Sequence, residues 1–190
     1  GGSTFANSGF ISANLVSDSY LSTSGGSPNS LYIASGMGVW VSHDKGATFS
    51  SLNSIPKSIR AYAISDTSSN FQTLGYVDNF KSTDGGQNFN QYTWWSFFNA
   101  NTTNTNYVHA DSRTAQCING NFYIGTDGYL SVSTDNCQTW HRYNGYGIRD
   151  FYRVGLSYTK PWLNMCGSQD NGTSILDSSG WFEWNGGDGM

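Results

Sequence analysis

The 190-residue chain has 12% charged residues, 16% aromatic residues and a formal net charge of −4, which is enough length and apolar bulk for a real core. That balance gives no electrostatic footing for nucleic acid or for insertion at an anionic membrane surface. No run approaches the roughly 20 apolar residues that span a bilayer, and "GGSTFANSGF" lacks the basic and apolar regions of a signal peptide, so any export signal is expected outside these residues.

In chain order the apolar periodicity is that of short strands. "NSLYIAS", "GVWVSHD", "RAYAIS", "TLGYVD", "NFYIGTD" and "YLSVSTD" are rich in Tyr, Val, Ile and Phe and bounded by Gly, Asn, Asp or Ser, and no segment carries a helical period. Between them one unit recurs: "SHDKGATF" at Ser42, "STDGGQNF" at Ser82 and "STDNCQTW" at Ser133. Each places an Asp two residues after a Ser and an aromatic residue five beyond the Asp. Asp44, Asp84 and Asp135 are 40 and 51 residues apart. A period of that size holding four strands predicts an all-β fold of β-propeller blades, each a four-stranded antiparallel sheet.

About four blades are expected in one propeller segment covering residues 1–190, at approximately 10–55, 56–98, 107–145 and 146–190, as part of a larger propeller. Within the third, strand A falls near "RTAQCI", B at "NFYIGT", C at "YLSVS" and D at "TWHRYN", so the repeated unit occupies the C to D hairpin. There the carboxylate can accept hydrogen bonds from the turn's own N–H groups, and Phe49, Phe89 and Trp140 can tuck beneath it. Asp44, Asp84 and Asp135 are therefore read as structural.

These residues resemble the Asp-box, or BNR, repeat of sialidase-like and sortilin-like β-propellers. Cys137 stands where that pattern has Gly. Residues 107–190, with "YVHADSRTAQCINGNFYIGTDGYLSVSTDNCQTW", "MCGSQDNGTS" and "WFEWNGGDGM", are similar to secreted BNR-repeat proteins of Bacteroidota that carry type IX sorting domains. The resemblance implies a secreted or cell-surface location. Arg113 and Tyr129 depart from the His and Gly of that pattern.

Strand alternation in a blade sends A to B and C to D loops to one side and B to C and D to A connections to the other. His109, Asp111, Arg113, Asp127, Arg149, Asp170 and Asp188, with Asp78, are expected on the second side as a ligand-binding face. Its carboxylates, with Asn, Gln and carbonyl oxygens, suit Ca²⁺, with Asp111, Asp127, Asp170 and Asp188 as candidate ligands. They equally suit sugar hydroxyls beside Trp and Tyr stacking surfaces, or the shaping of their own turns.

Arg60, Arg113 and Arg149 near successive A strands raise a sialidase-like site. However, the chain's single Glu, Glu183, falls in an outer strand, away from any tyrosine nucleophile it would have to activate. No catalytic residue is assigned. The expected function is a non-catalytic binding module for a glycan or surface protein, packed against the remainder of a longer chain or partner blades; the alternative is a sialidase-like or xyloglucanase-like glycoside hydrolase. Cys117, Cys137 and Cys166 form no C-x-x-C pair, and a Cys117 to Cys137 bridge is geometrically allowed. Asn101 and Asn171 open glycosylation-type triplets.

Overall fold

The computed structural model describes residues 19–36, 38–54, 58–95, 105, 107–143, 151–169 and 171–189. Arg149, Asp170 and Asn101 lie outside them. The described residues form sixteen strands in four antiparallel sheets, and none lies in an α-helix. Each sheet is a meander in which neighbours in sequence are neighbours in space.

The first sheet holds β1 (Ser19–Ser24), β2 (Ser27–Ser35), β3 (Gly38–Ser42) and β4 (Ser50–Ser54). The second holds β5 (Ala61–Ile64), β6 (Gln72–Gly75), β7 (Asn79–Ser82) and β8 (Asn90–Gln91). The third holds β9 (Ser112–Ile118), β10 (Asn121–Thr126), β11 (Leu130–Ser133) and β12 (His141–Arg142). The fourth holds β13 (Phe151–Leu156), β14 (Asn164–Ser168), β15 (Gly172–Asp177) and β16 (Gly180–Asn185).

The chain divides into two compact units. One comprises Gly1–Thr126 and Leu130–Arg142, the other Asp127–Tyr129 and Tyr143–Met190. In the first unit the cores lie between sheets. Tyr32, Ala34, Val39 and Val41 of the first sheet pack with Ile59, Tyr62, Ile64, Leu74 and Phe80. Ala63 and Tyr92 pack instead with Val108, Phe122, Ile124, Cys137 and Trp140. Because successive strand residues point to opposite faces, Tyr62 and Ile64 serve one core and Ala63 the other.

Backbone bonds repeat at these seams. Ile59 N–H donates to Gly36 O and Ser112 N–H to Tyr76 O, both at 2.8 Å, so the B to C turns of the first and second sheets each hold the entry of the next sheet's first strand. Gly75 is required at the second seam, since a Cβ there would run into the Ser112 side chain. On the opposite edge Asp66 accepts from Asn119 N–H at 2.6 Å and Gly120 N–H at 2.9 Å, while its carbonyl accepts from Gly25 N–H at 2.8 Å. The bonds from Gly120 and Asn119, that from Gly120 foremost, hold the Asp66 carboxyl below its ordinary pKa.

Cys117, Cys137 and Cys166 are all free thiols, so the bridge allowed between the first two is not formed. Cys137 is buried among Phe122, Ile124 and Trp140, with Cys117 packed against the same cluster. Burial pushes the Cys137 thiol far above its ordinary pKa, so it behaves as a small apolar group.

The second unit is a single sheet whose C-terminal segment folds back on it. Gly172 N–H donates to Gly187 O at 2.7 Å and Gly189 N–H to Ser168 O at 2.9 Å. A parallel bridge joins Gly172 to Asp188. Glu183 lies in the outer strand β16 and accepts from the Ser174 hydroxyl at 3.1 and 3.0 Å.

Candidate functional site

The three repeated turns share one set of bonds. At the first, Ser42 Oγ donates to Asp44 Oδ1 at 2.7 Å and accepts from Gly46 N–H at 2.7 Å. Thr48 donates its N–H to Asp44 Oδ1 at 2.8 Å and its hydroxyl to Oδ2 at 2.6 Å. At the second, Asn88 replaces Thr, giving 2.9 Å from its N–H and 2.7 Å from its amide to Asp84. At the third, Thr139 restores the first arrangement on Asp135, at 2.9 and 2.5 Å. Cys137 takes the position of Gly46 and Gly86 with φ of 64°, against 90° and 89° for the glycines. The left-handed turn is therefore kept despite the Cβ, and the side chain enters the core.

These donors favour the charged carboxylates. Thr48, through hydroxyl and N–H, and Ser42 bring the Asp44 pKa down to about 2. Burial pushes the Asp84 and Asp135 carboxyls upward, but the bonds from Asn88 and Ser82, and from Thr139 and Ser133, outweigh it and leave both lowered. Of the aromatic residues beneath the turns, Trp140 is buried and stacks on Tyr92 with centroids 6.0 Å apart. Phe89 is half-buried against the first core, and Phe49 is half-buried.

In the first unit the turn between β6 and β7, Tyr76 to Asp78, anchors two groups of side chains. Its own shape is closed by Tyr76 N–H donating to Asp78 O at 3.0 Å. On one side Arg60 lies over the Tyr76 ring, 5.1 Å from the centroid, and makes a 3.5 Å ion pair with Asp111. Tyr20 donates its hydroxyl to Arg60 O. Asp111 has a φ of 56°, a left-handed conformation Asp tolerates. On the other side Asp78 Oδ1 accepts from Trp95 N–H at 2.7 Å and Oδ2 from the Gln91 amide at 3.0 Å. His109 is half-buried with Nδ1 3.1 Å from Ala110 O, and Arg113 lies exposed in β9.

In the second unit the turn between β14 and β15 gathers another polar group. Gln169 donates to Asp127 Oδ2 at 2.8 Å, and Asn171 donates to Gln169 O at 3.0 Å. The bridge from Gly172 to Asp188 brings the "GGDG" segment beside "QDNG", two motifs separate in sequence. Asp188 is exposed. Of the four candidate metal ligands, Asp111 thus sits in the first unit, Asp127 and Asp188 in the second, and Asp170 outside the described residues. Among the described residues no group of three or more His, Cys, Asp or Glu is placed to hold a metal ion.

A further concavity of about 440 Å³ in the first unit is lined by β1, β5 and β9, including Leu21, Thr23, Thr114 and Gln116. Two residues escaped sequence reasoning, Asp66 and Trp95. Asp66 belongs to no motif, and the partners of its carboxylate lie more than 50 residues away. Trp95 was visible as half of a Trp-Trp pair following a D strand, but nothing in the pattern linked it to Asp78.

No protein-family model matches the chain, and no curated protein matches it. Solved structures do. The GH74 enzyme of Niastella koreensis is 16% identical with a TM-score of 0.52, over 86% of this chain and 23% of that one. The GH74 xyloglucanase of Xanthomonas campestris is 16% identical with a TM-score of 0.51, over 89% of this chain and 31% of that one. These are β-propellers, and the four meandering sheets described above are blades of that fold. The chain spans less than a third of the length of either structure.

Proposed function

We propose that this chain belongs to an Asp-box β-propeller of the kind found in secreted BNR-repeat proteins of Bacteroidota with type IX sorting domains, secreted or displayed at the cell surface. It recognises a glycan or a protein and performs no chemistry of its own. The observation that carries the reading is the construction of the Tyr76–Asp78 turn. Its carboxylate is held by a backbone N–H and an amide, and its ring carries a guanidinium. Polar and aromatic groups fixed in this way before a ligand arrives are what a recognition surface needs. The apolar side chains open on the β13–β16 sheet are where further blades, of a longer chain or of a partner, pack.

The test is to incubate the purified protein with a panel of polysaccharides and measure retention and reducing-end release together. Retention without release is the expected result. Release of reducing ends by the wild type, abolished by Asp78→Asn or Asp111→Asn with the melting curve intact, overturns it in favour of a glycoside hydrolase.

A further inference from the structure

Residues Gln91 to Trp95, the end of β8 and the segment after it, are tightly held. Tyr92 N–H donates to Asn79 O at 3.1 Å, and Thr93 Oγ1 accepts from the Asn79 N–H at 2.8 Å and its amide at 3.3 Å. The Gln91 amide donates both to Asp78 Oδ2 and to Thr93 O, each at 3.0 Å. Trp95 N–H closes the set on Asp78 Oδ1 at 2.7 Å. On this immobilised backbone Trp95 leaves 55% of its surface open, and Trp94 38%. An indole this open on a hydrogen-bonded backbone is a candidate contact surface for a ligand.

From this we infer that Trp95, with Asp78 and Gln91, forms a carbohydrate-binding platform for neutral pyranose chains. The inference rests on the binding-module reading above and names its ligand class. The indole supplies a flat apolar surface that fits the C–H face of a sugar ring. Among the described residues one donor reaches each Asp78 oxygen, which leaves a lone pair on each for a sugar hydroxyl, and a hydroxyl-to-carboxylate bond is among the stronger kinds. A few fixed polar groups around an aromatic surface are how a small site sets orientation. The carboxylate and the chain's net charge of −4 disfavour acidic sugars. A protein partner would meet a charged, hydroxyl-seeking group where interface centres are depleted of charge.

The experiment uses cellohexaose, xylohexaose and mannohexaose as probes. Binding to the whole chain is followed by saturation-transfer NMR and calorimetry, and protection of Trp95 from N-bromosuccinimide oxidation is mapped by mass spectrometry. At least one hexaose is expected to bind and to protect Trp95. Trp95→Ala should weaken binding by about tenfold or more with an unchanged melting curve, and Asp78→Asn by a smaller factor. The protection measurement needs no variant, so it decides the matter even if a substitution disturbs folding. Binding with Trp95 unprotected overturns the platform while leaving the binding-module reading in place. Cleavage of a hexaose that still protects Trp95 does the reverse. No binding of any hexaose at about 10 mM sinks the platform outright.

Discussion

β5 and β13 occupy the same place in their sheets, the first strand of a four-strand meander, and both are largely apolar. All four residues of β5 are buried, whereas all six of β13 are exposed. The difference lies in what packs against them. Tyr62 and Ile64 of β5 enter one inter-sheet core and Ala63 the other, so both faces of that strand are covered. The β13–β16 sheet has the same two-sided pattern: register places Val154, Leu156, Leu176 and Trp181 on one face, and Met165, Ile175 and Phe182 on the other. A blade of this fold therefore has no interior of its own, and its stability is conferred at the seams.

The largest expected effect breaks a seam of the first unit. Phe122 is fully buried in the second core, and Phe122→Ala should lower the unfolding free energy by about 3–5 kcal/mol in urea denaturation. A loss below about 1 kcal/mol would show that the seam is not where the stability resides.

Asp84→Ala removes the acceptor that closes one hairpin, leaving Asn88 N–H and the Ser82 hydroxyl without it. Because that residue is only half-buried, a loss near 1 kcal/mol is expected, with hexaose binding retained in the folded fraction. Unchanged stability with lost binding would contradict the structural role.

Acid acts on the turns of both units, and a single variant separates them. A carboxyl whose folded pKa is depressed contributes stability that is complete above its unfolded value and is lost as pH falls through the folded value. For Asp44 those limits are 3.8 and about 2, and the lowered Asp84 and Asp135 act with the same sign. Melting temperature should fall across that window, and Asp44→Asn should flatten the fall. In the second unit, Asp177 is lowered by the Ser179 hydroxyl and N–H. Hydrogen exchange resolved by peptide should therefore show the Asp44→Asn effect in β3 and β4 and leave β15 unmoved.

Much of the blade architecture was legible in the sequence because the repeated turn is local: Ser, Asp and Thr within a few residues supply both donors and acceptors of one turn. Strand B of the third sheet, "NFYIGT", was located from alternation alone and coincides with β10. "TLGYVD" was read too long, since the strand stops at Gly75 and Tyr76 turns out to receive the next sheet's Ser112 N–H. The seams were not legible, because Asp66 and Gly75 meet partners far along the chain and no local pattern encodes them. That Asp78, Asp111 and Asp127 fall in connections between strands was legible. Which residues they meet was not: Arg60 with Asp111, and Asp78 with Trp95, are pairings that only the packed sheets create.

The smallest effect is expected where the comparison began. Leu156 is 71% exposed and Trp181 62%, so their side chains contribute little transfer free energy to this chain on its own. Leu156→Ser should change the unfolding free energy by no more than about 0.5 kcal/mol in urea, an order of magnitude below Phe122→Ala. It should also reduce self-association in sedimentation velocity, since it removes an apolar group from an open sheet face. The same substitution in a longer polypeptide carrying further blades should cost several-fold more, because there the side chain is covered as Tyr62 is covered by the first sheet. An equal, near-zero cost in both settings would mean that nothing packs on this face, and β13 would then differ from β5 by design and not for want of a neighbour.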